Sequence, residues 1–324
     1  MTVPLMMKRP MADAHPTPLC NTGVHPLTGT DTFAVSSHFD WYRATVPIHH
    51  DLLTRELLKT AGKYAQVTEG PGRFSYKASR TIEHGRDRVA TILYGGSNGH
   101  PNVEASGGVF APRLAGSLRA MGPHKVTRCD VAVDLFGDGL FDALKALGGD
   151  VADQHGIDCR DVVNRDPAKG DTRYLGSRQS SVFARIYEKG KSGGWTTAQV
   201  PADLLSSWVR LELEIKPQKS MKEVAAATEP EAFWGVSPWT RQLAKGALGM
   251  NAQILPFHPR RETTDERAFQ TMLSQYGAIC ERRLRSKHEG NIPALLFEMG
   301  DGLFPSSYPD EQDGNGSDHW HRLR

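Results

Sequence analysis

No stretch of the chain approaches the roughly 18 consecutive apolar residues that a membrane-spanning helix requires. The N-terminus also lacks an apolar signal core, so the sequence predicts neither membrane insertion nor secretion. Cysteine is scarce. Cys20, Cys129, Cys159 and Cys280 stand far apart with no CxxC spacing, which argues against a zinc site and against a disulfide framework. A reducing, cytoplasmic compartment is the expectation. A large charge of one sign is missing too: the formal net charge is +2, so any basic surface has to be local. Internal repeats are absent, and neither Gly95-Gly96 nor Gly107-Gly108 completes a phosphate-binding fingerprint.

What remains is an ordinary globular composition over 324 residues, enough for two domains or one large domain with extensions. Residues 1–34 carry Pro4, Pro10, Pro16, Pro18 and Pro26 with no hydrophobic period, and residues 305–324 form an acid-rich Gly/Ser tail. Both read as disordered. Between them, residues 35–245 read as an α+β domain and residues 246–304 as a helical C-terminal extension. The element order predicts a mostly antiparallel sheet with helices packed on one face.

The first ordered segment, residues 39–46, is a strand stopped by Pro47, followed by a helix over 50–65 with Leu52, Leu53, Leu57 and Leu58 on its apolar face. Residues 74–81 and 88–94 pair across a four-residue turn, His84 to Asp87. A short strand at 102–105 leads into a helix at 109–121. In Lys125–Asp134, alternation places Val126, Arg128, Asp130, Ala132 and Asp134 on one face, with Thr127, Cys129, Val131 and Val133 toward the core. A helix at 139–147 should end at Gly148-Gly149, before a loop at 150–170. Strands 172–176 and 182–189 follow, joined by the polar turn Ser177-Arg178-Gln179-Ser180; Phe183, Arg185, Tyr187 and Lys189 face away from Val182, Ala184 and Ile186. In Trp208–Lys216, Arg210, Glu212, Glu214 and Lys216 face outward. A helix at 221–227 and a long polar helix at 264–288 complete the pattern. The basic end of the latter, ERRLRSKHEG, suits either a solvated helix terminus or phosphate contacts.

Three strands therefore present polar faces: Arg128/Asp130/Asp134, Arg185/Tyr187/Lys189 and Arg210/Glu212/Glu214. If these lie side by side, a tyrosine, several carboxylates and several cations share one surface. Carboxylate oxygens suit a hard divalent ion such as Mg²⁺ or Mn²⁺, which polarises a phosphodiester. Tyrosine can attack phosphorus and conserve the bond energy as a phosphotyrosine. Arginine and lysine bind phosphate oxygens. The same alternation fits plain cross-strand salt bridges equally well. Two histidine motifs are set aside: His49-His50 has the wrong spacing for two ligands on one helical face, and His319-Trp320-His321 sits in the tail.

The series VTRCDVAVD, TRYLGSRQSSVFARIYEKG and WVRLELEIK resembles the Rep_trans type of replication initiation factor, and FDWYRATVP and the VEASG-helix segment fit the same pattern, over roughly residues 38–245. That family includes rolling-circle plasmid initiators, replication proteins of some phages and relaxases of some conjugative elements. The resemblance implies an enzyme that nicks one strand of single-stranded or melted origin DNA and becomes joined to its 5′ phosphate. It implies Tyr187 as nucleophile, with Tyr174 as its rival, and a divalent metal held by Asp130 and Glu212, with Asp134 and Glu214 as further acidic positions. Glu188 matches a metal position of the family pattern, although alternation points it away from Tyr187 unless a bulge re-aims it. Phosphate contacts fall to Arg128, Arg178, Arg185, Lys189 and Arg210. A phenol of ordinary pKa, about 10, is protonated near neutral pH, and Lys189 is the neighbour expected to activate it. A host helicase and polymerase are the implied partners, and some plasmid relatives act as homodimers. The same chemistry would serve a relaxase for conjugative transfer, and the same fold a non-catalytic origin-binding regulator.

Overall fold

Runs of β-branched and aromatic residues, punctuated by Gly, Pro and Asx turns, build a sheet of twelve strands. The computed structural model describes residues 20–24, 27–29, 31–193, 201–255 and 264–303. In chain order the elements begin with β1 (Cys20–Val24), β2 (Asp31–Val35), β3 (His38–Thr45), α1 (His50–Ala61), β4 (Gln66–Pro71), β5 (Ala78–His84) and β6 (Asp87–Tyr94). Then come β7 (Asn102–Ser106), α2 (Phe110–Met121), β8 (Lys125–Phe136), α3 (Leu140–His155), β9 (Cys159–Val162), β10 (Thr172–Leu175) and β11 (Val182–Glu188). The chain continues through α4 (Ala202–Ser207), β12 (Trp208–Ile215), α5 (Met221–Ala227), α6 (Pro238–Leu248), α7 (Thr264–Lys287) and α8 (Ile292–Leu303).

The strand order is β4-β5-β6-β7-β3-β8-β12-β11-β10-β9, and every pairing is antiparallel. β2 pairs β1 on one side and the far end of β8 on the other, where Phe33 and Ala34 meet Phe136 and Leu135. The chain is thus α+β with a mostly antiparallel sheet, as the element order predicts. Alternation sends Val131, Val133, Leu211, Leu213, Ala184 and Ile186 to one face, where they form a continuous core with Leu53, Leu57, Leu114, Leu118, Leu144 and Leu243 of the covering helices. Each such valine, leucine or isoleucine side chain contributes about 1.5–3 kcal/mol by leaving water. α4 is the exception: its Leu204 and Leu205 pack on Phe136 and Trp208.

Several local expectations are corrected. α3 runs through Gly148-Gly149 and ends only at Gly156, which caps it in the left-handed conformation. Gly148 lies where a Cβ would press on Ile186, Arg173 and Leu175, so close helix–sheet approach offsets the roughly 1 kcal/mol that glycine costs inside a helix. β9 forms inside the expected loop, and β1 forms inside the expected N-terminal arm. The β5–β6 turn is tight, with His84 opposite Asp87 and only Gly85-Arg86 between them. Val126 belongs to the core rather than to the polar face, because β8 pairs Arg43 with Arg128 but Ala44 with Val126, leaving Thr127 as a bulge that reverses the alternation. α6 crosses position 245 and buries Trp239, Leu243 and Ala244 in the same core. Residues 1–19, the tail from 305 and the His319-Trp320-His321 motif lie outside the described residues.

The chain divides into Met1–Pro259 and Arg260–Arg324. In the second unit, Arg283, Lys287 and His288 of the basic helix end converge on Glu298 of α8. Those cations are paired within the unit, which favours the helix-terminus reading over phosphate contacts. Among the described residues, no helix is long and apolar enough to cross a membrane.

One buried pair ties β3 to the loop after α2. The Tyr42 hydroxyl donates to His124 Nε2 at 2.8 Å, while His124 Nδ1 donates to the Gly122 carbonyl at 3.2 Å. Burial holds the His124 pKa below its usual value. The unfolded chain therefore takes up a proton, as pH falls through the ordinary histidine range near 6.5, before the folded protein does. Stability should drop on acidification from about pH 7 to 5. Urea unfolding across that window should show the drop, and His124→Gln should flatten it.

Candidate active site

Register alone assembles the polar face. β12 lies between β8 and β11, so Arg210 stands opposite Asp134 on one side and Tyr187 on the other, while Glu212 stands opposite Ala132 and Arg185. Glu214 likewise stands between Asp130 and Phe183. The sequence-predicted polar faces of β8, β11 and β12 are therefore adjacent. They are far less solvated than alternation suggests: Asp130 and Glu212 are each 2% exposed and Arg210 5%. Long charged side chains from three neighbouring strands cover one another.

At the centre, the Tyr187 hydroxyl donates to Glu212 Oε2 at 3.1 Å. Arg185 Nη2 bonds the other oxygen of Glu212 and reaches Asp130 Oδ2 at 3.3 Å. Arg128 grips Asp130 with both Nε and Nη2, at 2.8 and 2.6 Å, and its Nη2 also meets Glu214 at 3.0 Å. Glu214 in turn holds Lys216 at 2.8 Å. Burial, with the Glu212 charge next, holds the Tyr187 phenol well above its ordinary pKa despite the nearby Arg210 and Arg185. Burial also pushes the Glu212 carboxyl up to about 7, working against the attraction of Arg185. Asp130 is likewise raised by burial, against Arg128. Tyr187 itself is half-buried, so its ring is reachable from solvent.

A second knot anchors this centre. Arg210 Nε and Nη2 each sit 2.7 Å from Asp134, and its Nη1 sits 2.7 Å from Asp40. Trp208 Nε1 donates to Asp134 at 2.7 Å, and His38 Nε2 stands 3.7 Å away. Burial works against ionisation of Asp134, but the bonds and charge of Arg210 together hold its carboxyl below the usual range. Asp40 reaches the site because β3 carries its own bulge: Phe39 pairs with Val131 but Trp41 pairs with Asp130, so Asp40 is the extra residue and joins Trp41 on the polar face. Asp40 and His38 were missed from the sequence. Simple parity along FDWYRATVP hides them, and only the burial of both Phe39 and Tyr42 betrays the bulge.

The remaining predicted residues separate. Lys189 begins a 3-10 turn after β11 and lies against the Tyr187 ring, 5.7 Å from its centroid, with its pKa lowered by burial and by Arg210. Arg178, exposed in the turn, stacks over Tyr174 and Phe183 at 5.1 and 5.6 Å. The Tyr174 ring is stacked on Phe183, 5.5 Å between centroids, with the Arg160 and Arg178 guanidinium groups 5.6 and 5.1 Å from its own centroid. Arg210, expected at the DNA, is instead buried between Asp134 and Asp40. Glu188 turns to the opposite side, as alternation predicts: it accepts from the Asp171 backbone at 2.9 Å, pairs Lys191 at 2.7 Å, and lines a polar cavity of about 320 Å³ beside the start of α3.

The donor chemistry decides where a metal would fit. Asp130 and Glu212 offer only oxygens and already share one cationic atom, Arg185 Nη2, so a hard divalent ion suits the position between them. Arg210 occupies both oxygens of Asp134 as Arg128 occupies both of Asp130, so an ion at either carboxylate has to displace a guanidinium. Glu188 does not fit because it faces away. Among the described residues, one group brings three ligand atoms within 4.8 Å: His49, His50 and Asp51. His49 is the N-cap of α1 and so lies outside the helix, which is why spacing along a helical face misjudges the pair. That group could accept an ion, but Arg80 already bonds Asp51 and the His50 ring stacks on Tyr94.

Replacing Arg210 by Met would leave Asp134 buried without its bidentate partner. Arg210→Met should cost about 3–5 kcal/mol, read from denaturant midpoints. Adding Asp134→Asn should return part of that loss.

The geometry can be set beside known proteins. No curated protein sequence matches the chain significantly. A solved rolling circle replication initiator protein from Geobacillus stearothermophilus is similar at 19% identity, over 72% of this chain and 90% of that one, with a TM-score of 0.43. A family model, Rep_trans, described as replication initiation factor, matches residues 124–232. That segment contains β8, β11 and β12, and over it the chain carries the sequence pattern of the Rep_trans replication initiation factors.

Proposed function

We propose that this protein is a rolling-circle replication initiator that nicks one strand of its origin DNA through Tyr187. The observation that carries the reading is the Tyr187 hydroxyl bonded to the buried Glu212, with Arg185 and Arg128 spread along the same face. Tyrosine, base and phosphate-binding cations stand within one hydrogen-bonded chain.

In the reaction, Tyr187 Oη attacks phosphorus and the bond to the 3′ oxygen breaks. The phenol proton passes to Glu212 Oε2, the oxygen that already accepts its hydrogen bond. The departing 3′ oxygen takes a proton from solvent, leaving a 3′-OH for a polymerase and a 5′-phosphotyrosine on the protein. Arg185 fits the developing charge on the non-bridging oxygens: its Nε is a buried donor with no acceptor among the described residues. A divalent ion held by Asp130 and Glu212 would supply further charge to the same oxygens. Lys189 packs on the ring and keeps the phenol's approach fixed, while Glu212 takes the activating role at the hydroxyl. Attack by an incoming 3′-OH on the phosphotyrosine reverses the chemistry and closes the circle.

Labelled single-stranded oligonucleotides tiled across the origin test this directly, with Mn²⁺ or EDTA. Wild type should yield a DNA-linked protein band that depends on the metal and disappears in Tyr187→Phe. Glu212→Gln should slow cleavage on the order of 100-fold or more. Cleavage that survives in Tyr187→Phe would transfer the role to Tyr174. Tight origin binding with no cleavage by wild type would make the protein a non-catalytic regulator.

A further inference from the structure

The hairpin between β4 and β5 ends in an unusual way. Past the last ladder pair, Pro71 with Ala78, Gly72 N–H bonds the Lys77 carbonyl at 3.3 Å and Tyr76 N–H bonds the Arg73 carbonyl at 3.1 Å. The two tip residues are Phe74 and Ser75, both left-handed, with φ of 53° and 70°. Two positive φ values in a two-residue tip ordinarily call for Asn-Gly, and a bulky aromatic there costs backbone energy. Phe74 does not recover that cost by burial, since it is 64% exposed. The fold keeps a strained, solvent-facing aromatic ring.

Its surroundings are as specific as its backbone. The Arg43 guanidinium lies 4.9 Å from the Phe74 ring centroid and 5.7 Å from that of Trp41. Arg73 lies 5.5 Å from the Phe74 centroid. Glu104, only 5% exposed, fixes both arginines, bonding Arg43 Nε at 2.6 Å and Arg73 through its other oxygen. Trp41 leads on to the active site, because Arg128, which grips Asp130, stands 5.0 Å from its ring. The Trp41 indole N–H is buried with no acceptor among the described residues. From Tyr187, a chain of contacts through Glu212, Arg185, Asp130, Arg128, Trp41 and Arg43 therefore leads across the sheet to the Phe74 ring at the hairpin tip.

We propose that this hairpin tip is a stacking subsite for an unpaired nucleobase of the DNA strand that enters the active site, with Phe74 as the platform and Arg43 and Arg73 as its phosphate contacts. The proposal rests on the reading of this sheet face as a nucleic-acid surface. Exposed aromatic faces flanked by guanidinium groups match the alternating base and phosphate of a single strand. Duplex DNA, with its bases stacked internally, offers nothing to the Phe74 ring.

The probe is labelled oligo(dT), titrated by anisotropy at several salt concentrations and compared with a duplex of equal length. Phe74→Ala should weaken oligo(dT) binding about tenfold, the loss of one stacked base, with the salt slope unchanged because no phosphate contact is removed. Phe74→Trp should restore it, and duplex affinity should not move. Equal affinity of Phe74→Ala and wild type would overturn the subsite, as would an equal loss on duplex, or failure of wild type to bind oligo(dT). The nuclease reading is scored separately, by the covalent band. Binding that depends on Phe74 without any covalent band would keep the subsite and remove the nickase. A covalent band with binding blind to Phe74 would do the reverse.

Discussion

The structure depends on how β12 can be buried on both faces. All eight of its residues are buried, yet Arg210, Glu212 and Glu214 alternate with Val209, Leu211 and Leu213. Charges removed from water must be paired or they reject the fold. β12 solves this by lying between two strands that carry the complementary groups, Asp134 for Arg210 and Arg128 for Glu214 in β8, and Arg185 for Glu212 in β11. A one-residue slip of either pairing would place leucines over guanidinium groups and carboxylates over valines. The ion pairs therefore specify register at least as much as they stabilise it, and the same register positions Tyr187.

Two bulges complete the arrangement. One in β8 returns Val126 to the core, and one in β3 brings Asp40 and Trp41 to the polar face. Both fall in the β3–β8 pairing. They allow β3 to present Phe39 and Tyr42 inward while still delivering Asp40 to Arg210. Without Asp40, Arg210 Nη1 would lose its carboxylate partner.

Legibility in the sequence followed the reach of each interaction. Alternation along β8, β11 and β12 is local, so the polar faces and Tyr187 could be read directly, and Glu188 could be turned away by the same parity. Burial of those faces could not be read, since it arises when three amphipathic strands cover each other's charged sides. The bulges were invisible for a related reason: an inserted residue such as Thr127 or Asp40 has no composition signal of its own. Gly148-Gly149 reads as the end of α3 because a glycine pair resembles a cap, whereas Gly148 instead lets the helix approach Ile186 and Leu175. The partition of roles among the cations also needed coordinates. Arg210 and Arg185 look alike in sequence, and each bonds two carboxylates, but only Arg185 keeps a buried donor, Nε, without an acceptor among the described residues.

The electrostatics of the resting site explain why such a tyrosine can be carried safely. Burial and the Glu212 charge both disfavour the phenolate, so Tyr187 is a poor nucleophile while the face is empty. Glu212 is itself poised near 7, between the pull of Arg185 and the cost of burial. On the proposed reading, Arg185 serves two groups at once, Glu212 through Nη2 and the phosphate through Nε, which has no acceptor among the described residues. Keeping the Nη2 bond matters, because loss of that counter-charge would raise Glu212 further and leave it protonated, unable to take the Tyr187 proton. The interlocked register of β8, β12 and β11 holds Arg185 where both contacts are available.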